Sequence, residues 1–66
     1  MNIDRILGKI KNKREILNLS QDEVADYLNV SQSTYGRLES GQTHISLKAF
    51  LSLIKLLELD IEEVFK

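Results

Sequence analysis

Three polar side chains on one short segment carry the most informative chemistry of this sequence. A predicted turn precedes Gln32, Ser33 and Arg37. They lie on those faces of a predicted helix that carry none of its apolar residues. A glutamine amide can form two hydrogen bonds with adenine N6 and N7, and an arginine can bind guanine O6 and N7 or a phosphate. Ser33 and Thr34 are short enough to contact a phosphate or a thymine methyl group. The segment therefore has the chemistry to recognise base edges.

Catalytic and metal-binding sites lack the residue types that they require. The 66 residues include no cysteine and one histidine, His44, which excludes thiolate zinc sites, disulfides and multi-histidine metal sites. No nucleophile with a base, phosphate-binding loop or metal cluster is recognisable. Asp22, Glu23 and Asp26 are interpreted as acids that complement a helix start rather than as metal ligands. We expect a protein that is not an enzyme and that needs no cofactor and no small-molecule ligand.

Two short helices with a tight turn account for residues 21–40, QDEVADYLNVSQSTYGRLES. The first helix has one apolar face, formed at three- and four-residue spacing by Val24, Ala25 and Leu28. Ser20 precedes this helix and Glu23 follows three residues later, which is the pattern of a capping box. The sequence therefore predicts a helix that starts at Gln21.

The connection between the two helices follows from local turn chemistry. Asn29 tolerates the left-handed conformation of a tight helix exit. Ser31 offers its side-chain oxygen to the free N–H groups of a second helix that begins one residue later. Tyr35 and Leu38 give that helix an inward stripe, and Gly41 is expected to end it. The pattern is that of a helix-turn-helix.

Three further helices are predicted around this motif. The first covers residues 2–17, with Asn2 as its N-cap. Its apolar stripe consists of Ile3, Ile6, Leu7, Ile10 and Leu17. The fourth, residues 47–57, is apolar at eight of eleven positions and is expected to be the hub against which helices 1, 2 and 3 pack. Asp60 and Glu63 predict a second capping box at a short fifth helix.

The motif resembles the helix-turn-helix of the Cro and phage-repressor (XRE-like) family of DNA-binding regulators. The similarity covers nearly all of the chain, including LSQDEVADYLNVSQSTYGRLESG and LKAFLSLIKLLELDIEEVF. Small or apolar residues match the family pattern at Ala25, Leu28, Val30 and Leu38. The resemblance implies an all-α fold, a compact five-helix lambda-repressor-like domain over residues 1–66. Its helix 3 would lie in the major groove of DNA.

The resemblance also implies roles for individual residues. DNA contacts are expected from Gln21, Ser31, Gln32, Ser33, Thr34, Arg37, Thr43 and His44. Gln21 matches a phosphate contact, with local capping as the alternative, and Gln32 matches a contact to base edges. Arg14 and Glu39 match an ion pair that joins helix 1 to helix 3, and we expect its role to be orientation rather than net stability.

Three positions depart from the family pattern. Asn29 stands where glycine is usual, which is physically tolerable. Tyr35 replaces an aliphatic residue, so either the core accommodates a ring or the hydroxyl reaches the surface. Gly36 lies inside the recognition helix, where glycine costs about 0.5 to 1 kcal/mol relative to alanine. This cost reflects close approach to another backbone or to DNA, or it is simply tolerated.

The net charge of −1 argues against DNA binding, because phosphate neutralisation supplies much of the affinity of DNA-binding proteins. The distribution of charge weakens this objection. A basic cluster consists of Lys9, Lys11, Lys13 and Arg14, and an acidic group at the far end consists of Glu58, Asp60, Glu62 and Glu63. A dipolar molecule can present a positive face to DNA. Lys9 and Lys13 are either solvated or contact phosphates at the periphery.

The sequence favours a sequence-specific transcriptional regulator, most simply a repressor, that binds double-stranded DNA at a palindromic operator as a homodimer. The dimer contact is expected at residues Leu57 to Phe65, unless Phe65 instead closes the core. No apolar run is long enough to cross a membrane and no signal peptide is recognisable, so we expect a cytoplasmic protein. The alternative function is a protein-interaction module or an antitoxin-type partner with the same fold.

Overall fold

A computed structural model of the protein describes residues 3–66 and contains five helices. In chain order they are α1 (Ile3–Ile16), α2 (Gln21–Leu28), α3 (Gln32–Ser40), α4 (Leu47–Leu56) and α5 (Ile61–Val64). No strand occurs in this part of the chain, so the predicted all-α class with five helices is confirmed. The predicted N-cap of α1, Asn2, lies outside the described residues.

Local capping sets the boundaries of α2 and α3. Ser20 Oγ accepts the N–H of Glu23 at 3.0 Å, and Glu23 Oε1 accepts the N–H of Ser20 at 2.9 Å. These two bonds form the predicted capping box. Asn29 ends α2 with φ of 61°, and Gly41 ends α3 with φ of 82°. Both residues adopt the left-handed conformation that the sequence predicts there.

The start of α5 differs from its prediction. Asp60 Oδ1 accepts the N–H of Glu62 at 2.9 Å, two residues along the chain. The carboxylate of Glu63 instead pairs with Lys66 at 3.3 Å. The predicted capping box between Asp60 and Glu63 is therefore wrong, because an N-cap side chain can satisfy either the second or the third N–H and Asp60 takes the nearer one.

The core lies where the four longer helices meet, and α5 adds one side chain to it. Its fully buried large side chains are Tyr35, Ile10, Leu53, Leu57, Val24 and Val64. Ala25 of α2 is also fully buried, and α2 and α3 make the most extensive contact of any helix pair in the described chain. The core therefore supports α3 from one side and leaves its opposite side to solvent.

Helix α4 is not the central element that its apolar sequence predicts. Leu53 is buried, but Leu47 is 72% exposed and Leu51 is 49% exposed. The most extensive helix contacts are those of α3 with α2 and with α1. The predicted hub is wrong because apolar residues favour burial, whereas the burial achieved depends on how many neighbouring helices cover them. Leu47 lines an exposed apolar groove together with Phe50 and Phe65.

Candidate nucleic-acid interface

The outer face of α3 carries side chains that the sequence predicts to contact DNA. Gln32, Ser33 and Arg37 are exposed, whereas Tyr35 and Leu38 of the same helix are buried. The helical period places the three polar side chains on one side of α3. They are therefore available together to a partner that approaches from solvent.

Ser31 and Thr34 form the first turn of α3. Ser31 Oγ accepts the N–H of Thr34 at 3.0 Å and donates to Thr34 Oγ1 at 2.8 Å. The first of these bonds satisfies one of the free N–H groups at the helix start. The two hydroxyls thus fix the turn that precedes the exposed face, and their contact with DNA stays a prediction.

A buried ion pair joins α1 to α3. Arg14 Nε lies 2.8 Å from Glu39 Oε2, and Arg14 Nη2 lies 3.0 Å from Glu39 Oε1, so the contact is bidentate. Arg14 Nη1 also donates to the carbonyl of Leu19 at 2.8 Å. Both ionic residues are less than a tenth exposed. The two residues that the family resemblance implies as an ion pair are therefore in contact, behind the exposed face of α3.

Tyr35 completes this buried cluster. Its ring is fully buried, and its hydroxyl donates to Glu39 Oε2 at 2.7 Å. The core therefore accommodates the ring, and the hydroxyl bonds a buried carboxylate instead of reaching the surface. Burial raises the pKa of Tyr35, and the hydrogen bond to Glu39 raises it further. Burial opposes ionisation of Glu39. The hydrogen bonds that Glu39 accepts from Arg14, Tyr35 and Gln21 outweigh this effect and lower the pKa of Glu39.

Gln21 links the start of α2 to the same carboxylate. Its Nε2 donates to Glu39 Oε1 at 3.2 Å, and the residue is half-buried. A primary amide has two N–H groups, so Gln21 can donate one to Glu39 and offer the other to a phosphate. The bond to Glu39 differs from the local capping that the alternative interpretation proposed, and the phosphate contact stays a prediction.

Gly36 lies among the polar residues of the outer face of α3. A Cβ added at this position would meet the side-chain oxygen of Gln21 at 3.5 Å, which is ordinary van der Waals contact. Close approach of another backbone within the described chain therefore does not explain this glycine. Approach to DNA and simple tolerance are the explanations that remain.

The loop after α3 extends the exposed surface beyond the helix. Thr43 and His44 are exposed and follow Gly41 by two and three residues. Both line a groove that also includes Leu38 of α3 and Ile3 of α1. The structure thus places Thr43 and His44 beside the C-terminal end of α3, and their contact with the sugar-phosphate backbone stays a prediction.

The basic cluster of α1 is not a separate positive face. Lys9 Nζ donates to the main-chain carbonyl of Glu63 in α5. Lys9 and Lys13 also line one groove together with Glu63. The expected separation of basic and acidic groups is therefore wrong on this side of the molecule, because folding brings α1 against α5. On the outer face of α3, Arg37 is an exposed positive charge.

Similarity to known proteins spans most of the chain. A family model described as helix-turn-helix matches residues 10–64. The chain belongs to the Cro/C1-type (XRE-like) helix-turn-helix family. This family consists of DNA-binding transcriptional regulators.

A curated relative supports the same assignment. The helix-turn-helix protein is 35% identical over 58 residues to a protein named as an uncharacterized HTH-type transcriptional regulator of Methanocaldococcus jannaschii. The match covers 88% of each chain. No solved structure gives a significant match. Within residues 3–66, no helix combines the length and the apolar character that a membrane span needs.

Two hydrogen bonds to Glu39 in this helix-turn-helix protein are absent from the sequence-based predictions, those from Tyr35 and Gln21. Tyr35 and Glu39 are four residues apart on α3, and this spacing places two helical side chains side by side, so it was a usable signal. Gln21 and Glu39 are separated by 18 residues and lie on different helices. Only the packing of α2 against α3 brings them together, so no local pattern could have indicated their bond.

Proposed function

We propose that the protein is a sequence-specific, double-stranded DNA-binding transcriptional regulator whose α3 lies in the major groove. The observation that carries this proposal is the exposure of Gln32, Ser33 and Arg37 on one face of a helix whose other side is held by a buried ion pair. Gln32 would bond an adenine, and Arg37 a guanine or a phosphate. The ion pair fixes the position of α3. Base recognition requires this, because its hydrogen-bond donors and acceptors must stand in fixed positions.

Contacts to the sugar-phosphate backbone are proposed around both ends of α3. Gln21 stands in the first turn of α2, where free N–H groups and the positive end of the helix favour a phosphate. Ser31 and Thr34 lie at the start of α3, and Thr43 and His44 lie beyond its end. Backbone contacts of this kind set the register and orientation of the protein, whereas base contacts give specificity.

A homodimer on a palindromic site is proposed because one short helix contacts only a few base pairs. Two half-sites about 34 Å apart, roughly one turn of DNA, would each bind one α3. Within the proposed contact segment, residues 57–65, Ile61 and Phe65 are about half exposed, whereas Leu57 and Val64 are buried. The exposed side chains that this segment offers to a second copy therefore include Ile61 and Phe65.

Phe65 borders an apolar groove that can enlarge this contact. It is 51% exposed, so it does not close the core as the alternative interpretation expected, and its ring centroid lies 6.0 Å from that of Phe50. The groove is lined by Ile3, Ile6, Ile45, Ser46, Leu47, Phe50 and Phe65. These lining residues are uncharged, so two copies can meet at this face without repulsion between like charges.

Repression is the mode of regulation that we propose, because a protein bound to an operator excludes other proteins from the same DNA. Action on DNA would place the protein in the cytoplasm. The second candidate function, a protein-interaction module or antitoxin-type partner, is favoured by the net charge of −1. Asp22, Glu23 and Asp26 add an exposed acidic face on α2 that suits a basic protein better than DNA.

Selection of bound duplexes from a random pool at low salt tests the leading function. We expect a consensus with two-fold symmetry, because each half-site would bind one copy of α3. A consensus without symmetry would contradict the homodimer. Failure to retain any duplex at low salt would contradict DNA binding and leave the protein-interaction function.

A further inference from the structure

Lys48, which the predicted set of DNA contacts does not include, lies beside the helix-turn-helix. It is the second residue of α4 and is exposed. It lines a groove together with Asn29 and Val30 from the turn between α2 and α3. Leu38 of α3 borders the same groove. A cation thus stands next to the motif although it belongs to a different helix.

The two flanks of α3 face different neighbours. The helical period places Glu39 on one side of the buried Tyr35 and Leu38 on the other. Gln21 of α2 bonds Glu39, so the start of α2 lies along the first flank. Lys48 of α4 shares a groove with Leu38, so the start of α4 lies along the second flank.

A helix in the major groove has one phosphate strand along each flank. The groove of B-DNA is about 12 Å wide, and an α-helix with its side chains is about 10 to 12 Å across. The two strands must therefore pass close to the elements that border α3. The Gln21 flank offers an uncharged amide and helix N–H groups, whereas the Lys48 flank offers a full positive charge.

Lys48 differs from several other cations of the chain, because those cations contact other groups of the protein. The chain has nine lysines and arginines against ten acidic residues, and three of these cations contact other groups of the protein. Arg14 pairs with Glu39, Lys66 pairs with Glu63, and Lys9 donates to a carbonyl of α5. Lys48 is exposed, on a long flexible stem, at the edge of the motif.

We propose that Lys48 contacts a phosphate of the DNA strand that passes along the Leu38 flank of α3. The proposal rests on the proposed DNA-binding function and adds a backbone contact on a helix outside the motif. Such a contact neutralises charge and orients the protein but carries no sequence information of its own. Loss of the contact therefore weakens binding to all duplexes alike.

Lys55 provides a matched control for this inference. It is exposed on the same helix, seven residues later, so it has the same charge and lies about 10 Å further along the axis. Lys48→Gln and Lys55→Gln change the net charge equally. A difference between the two variants therefore reports the position of the charge rather than its amount.

The experiment measures duplex affinity against salt concentration for the wild type and both variants, with a selected duplex and a random duplex. Each phosphate contact to B-DNA contributes about 0.9 to the slope of log affinity against log salt. We expect Lys48→Gln to reduce this slope by about 0.9 per bound copy and to weaken both duplexes by the same factor. Lys55→Gln should leave the slope as in the wild type.

The outcomes separate this inference from the function on which it rests. If the wild type binds duplex DNA and Lys48→Gln keeps the wild-type slope, the inference is wrong while the proposed function stands. An equal fall in slope for both lysine variants would also overturn it, because the effect would then follow net charge alone. If the wild type binds no duplex at low salt, both proposals are wrong.

Discussion

Arg14 of α1 and Glu39 of α3 form a bidentate ion pair, with nitrogen to oxygen distances of 2.8 and 3.0 Å, behind the exposed face of α3. Tyr35 and Gln21 donate to the same carboxylate, so Glu39 receives hydrogen bonds from α1, α2 and α3. This cluster fixes α3 relative to the two helices that support it. Substitutions in this cluster should therefore change the free energy of unfolding.

Replacement of Arg14 with Met should destabilise the protein by about 3 to 5 kcal/mol, because Glu39 would stay buried without its ionic partner. Urea unfolding at neutral pH measures this change as a lower midpoint. Lys11→Met, an exposed position on the same helix, should shift stability by no more than about 0.5 kcal/mol. The double variant Arg14→Met with Glu39→Met should recover part of the loss, since it removes both buried charges but leaves the Tyr35 hydroxyl without its acceptor. An unchanged midpoint for Arg14→Met would contradict the importance of the pair.

Replacement of Tyr35 with Phe should cost about 1.5 to 3 kcal/mol, because the hydroxyl donates to an ionised and buried acceptor. Tyr27 supplies the matched control, since it is 47% exposed and the same change there should be nearly neutral. Thermal or urea unfolding of the two variants gives the comparison. Equal stabilities for Tyr35→Phe and Tyr27→Phe would show that the bond to Glu39 contributes nothing.

Acid should remove the contribution of Glu39. Its pKa in the folded protein lies below the ordinary value of 4.5, so the unfolded chain takes up a proton first as the pH falls. The contribution is therefore complete above that ordinary value and is lost as the pH falls through the lower, folded pKa. We expect the stability difference between the wild type and Glu39→Gln to be constant from about pH 6 to about pH 7 and to shrink towards about pH 3. A difference that stays constant over the whole range would exclude a lowered pKa for Glu39.

Glycine positions should respond to alanine according to their backbone and their space. Gly36→Ala should stabilise the protein by about 0.5 to 1 kcal/mol, because the added Cβ meets Gln21 only at ordinary contact distance. Gly8→Ala, where nothing lies within 4 Å of the added Cβ, should give a similar gain. Gly41→Ala should destabilise instead, since φ of 82° is strained for alanine. Unfolding midpoints check all three, and a loss of stability at Gly36 would show a tighter site than the structure describes.

Local signals in the sequence were sufficient for the motif itself. Ser20, Glu23, Asn29 and Gly41 act on backbone groups within a few residues, so their types and spacing determine the helix ends. The contact between Arg14 and Glu39 joins residues 25 positions apart. Its prediction rests on the resemblance to a family and not on a local pattern.

Apart from the capping box at Asp60 and Glu63, the predictions that the structure corrects here concern contacts between elements distant in sequence. The hydrogen bond from Lys9 to the carbonyl of Glu63 joins residues 54 positions apart, and no sequence pattern relates these two positions. The exposure of Leu47 and Leu51 depends on where the other helices stop covering α4. Both features arise from packing, which periodicity within one helix cannot specify.

Base preference in a Gln32→Ala variant tests the central claim most directly, because Gln32 is the side chain proposed to bond an adenine edge. Gln42→Ala removes a second exposed glutamine that lies in the loop beyond α3 and serves as the control. Duplex selection with the wild type and both variants should show that Gln32→Ala loses preference at one position of each half-site, by about 1 to 3 kcal/mol, while Gln42→Ala keeps the wild-type consensus. An unchanged consensus for Gln32→Ala would contradict recognition of DNA bases through the exposed face of α3.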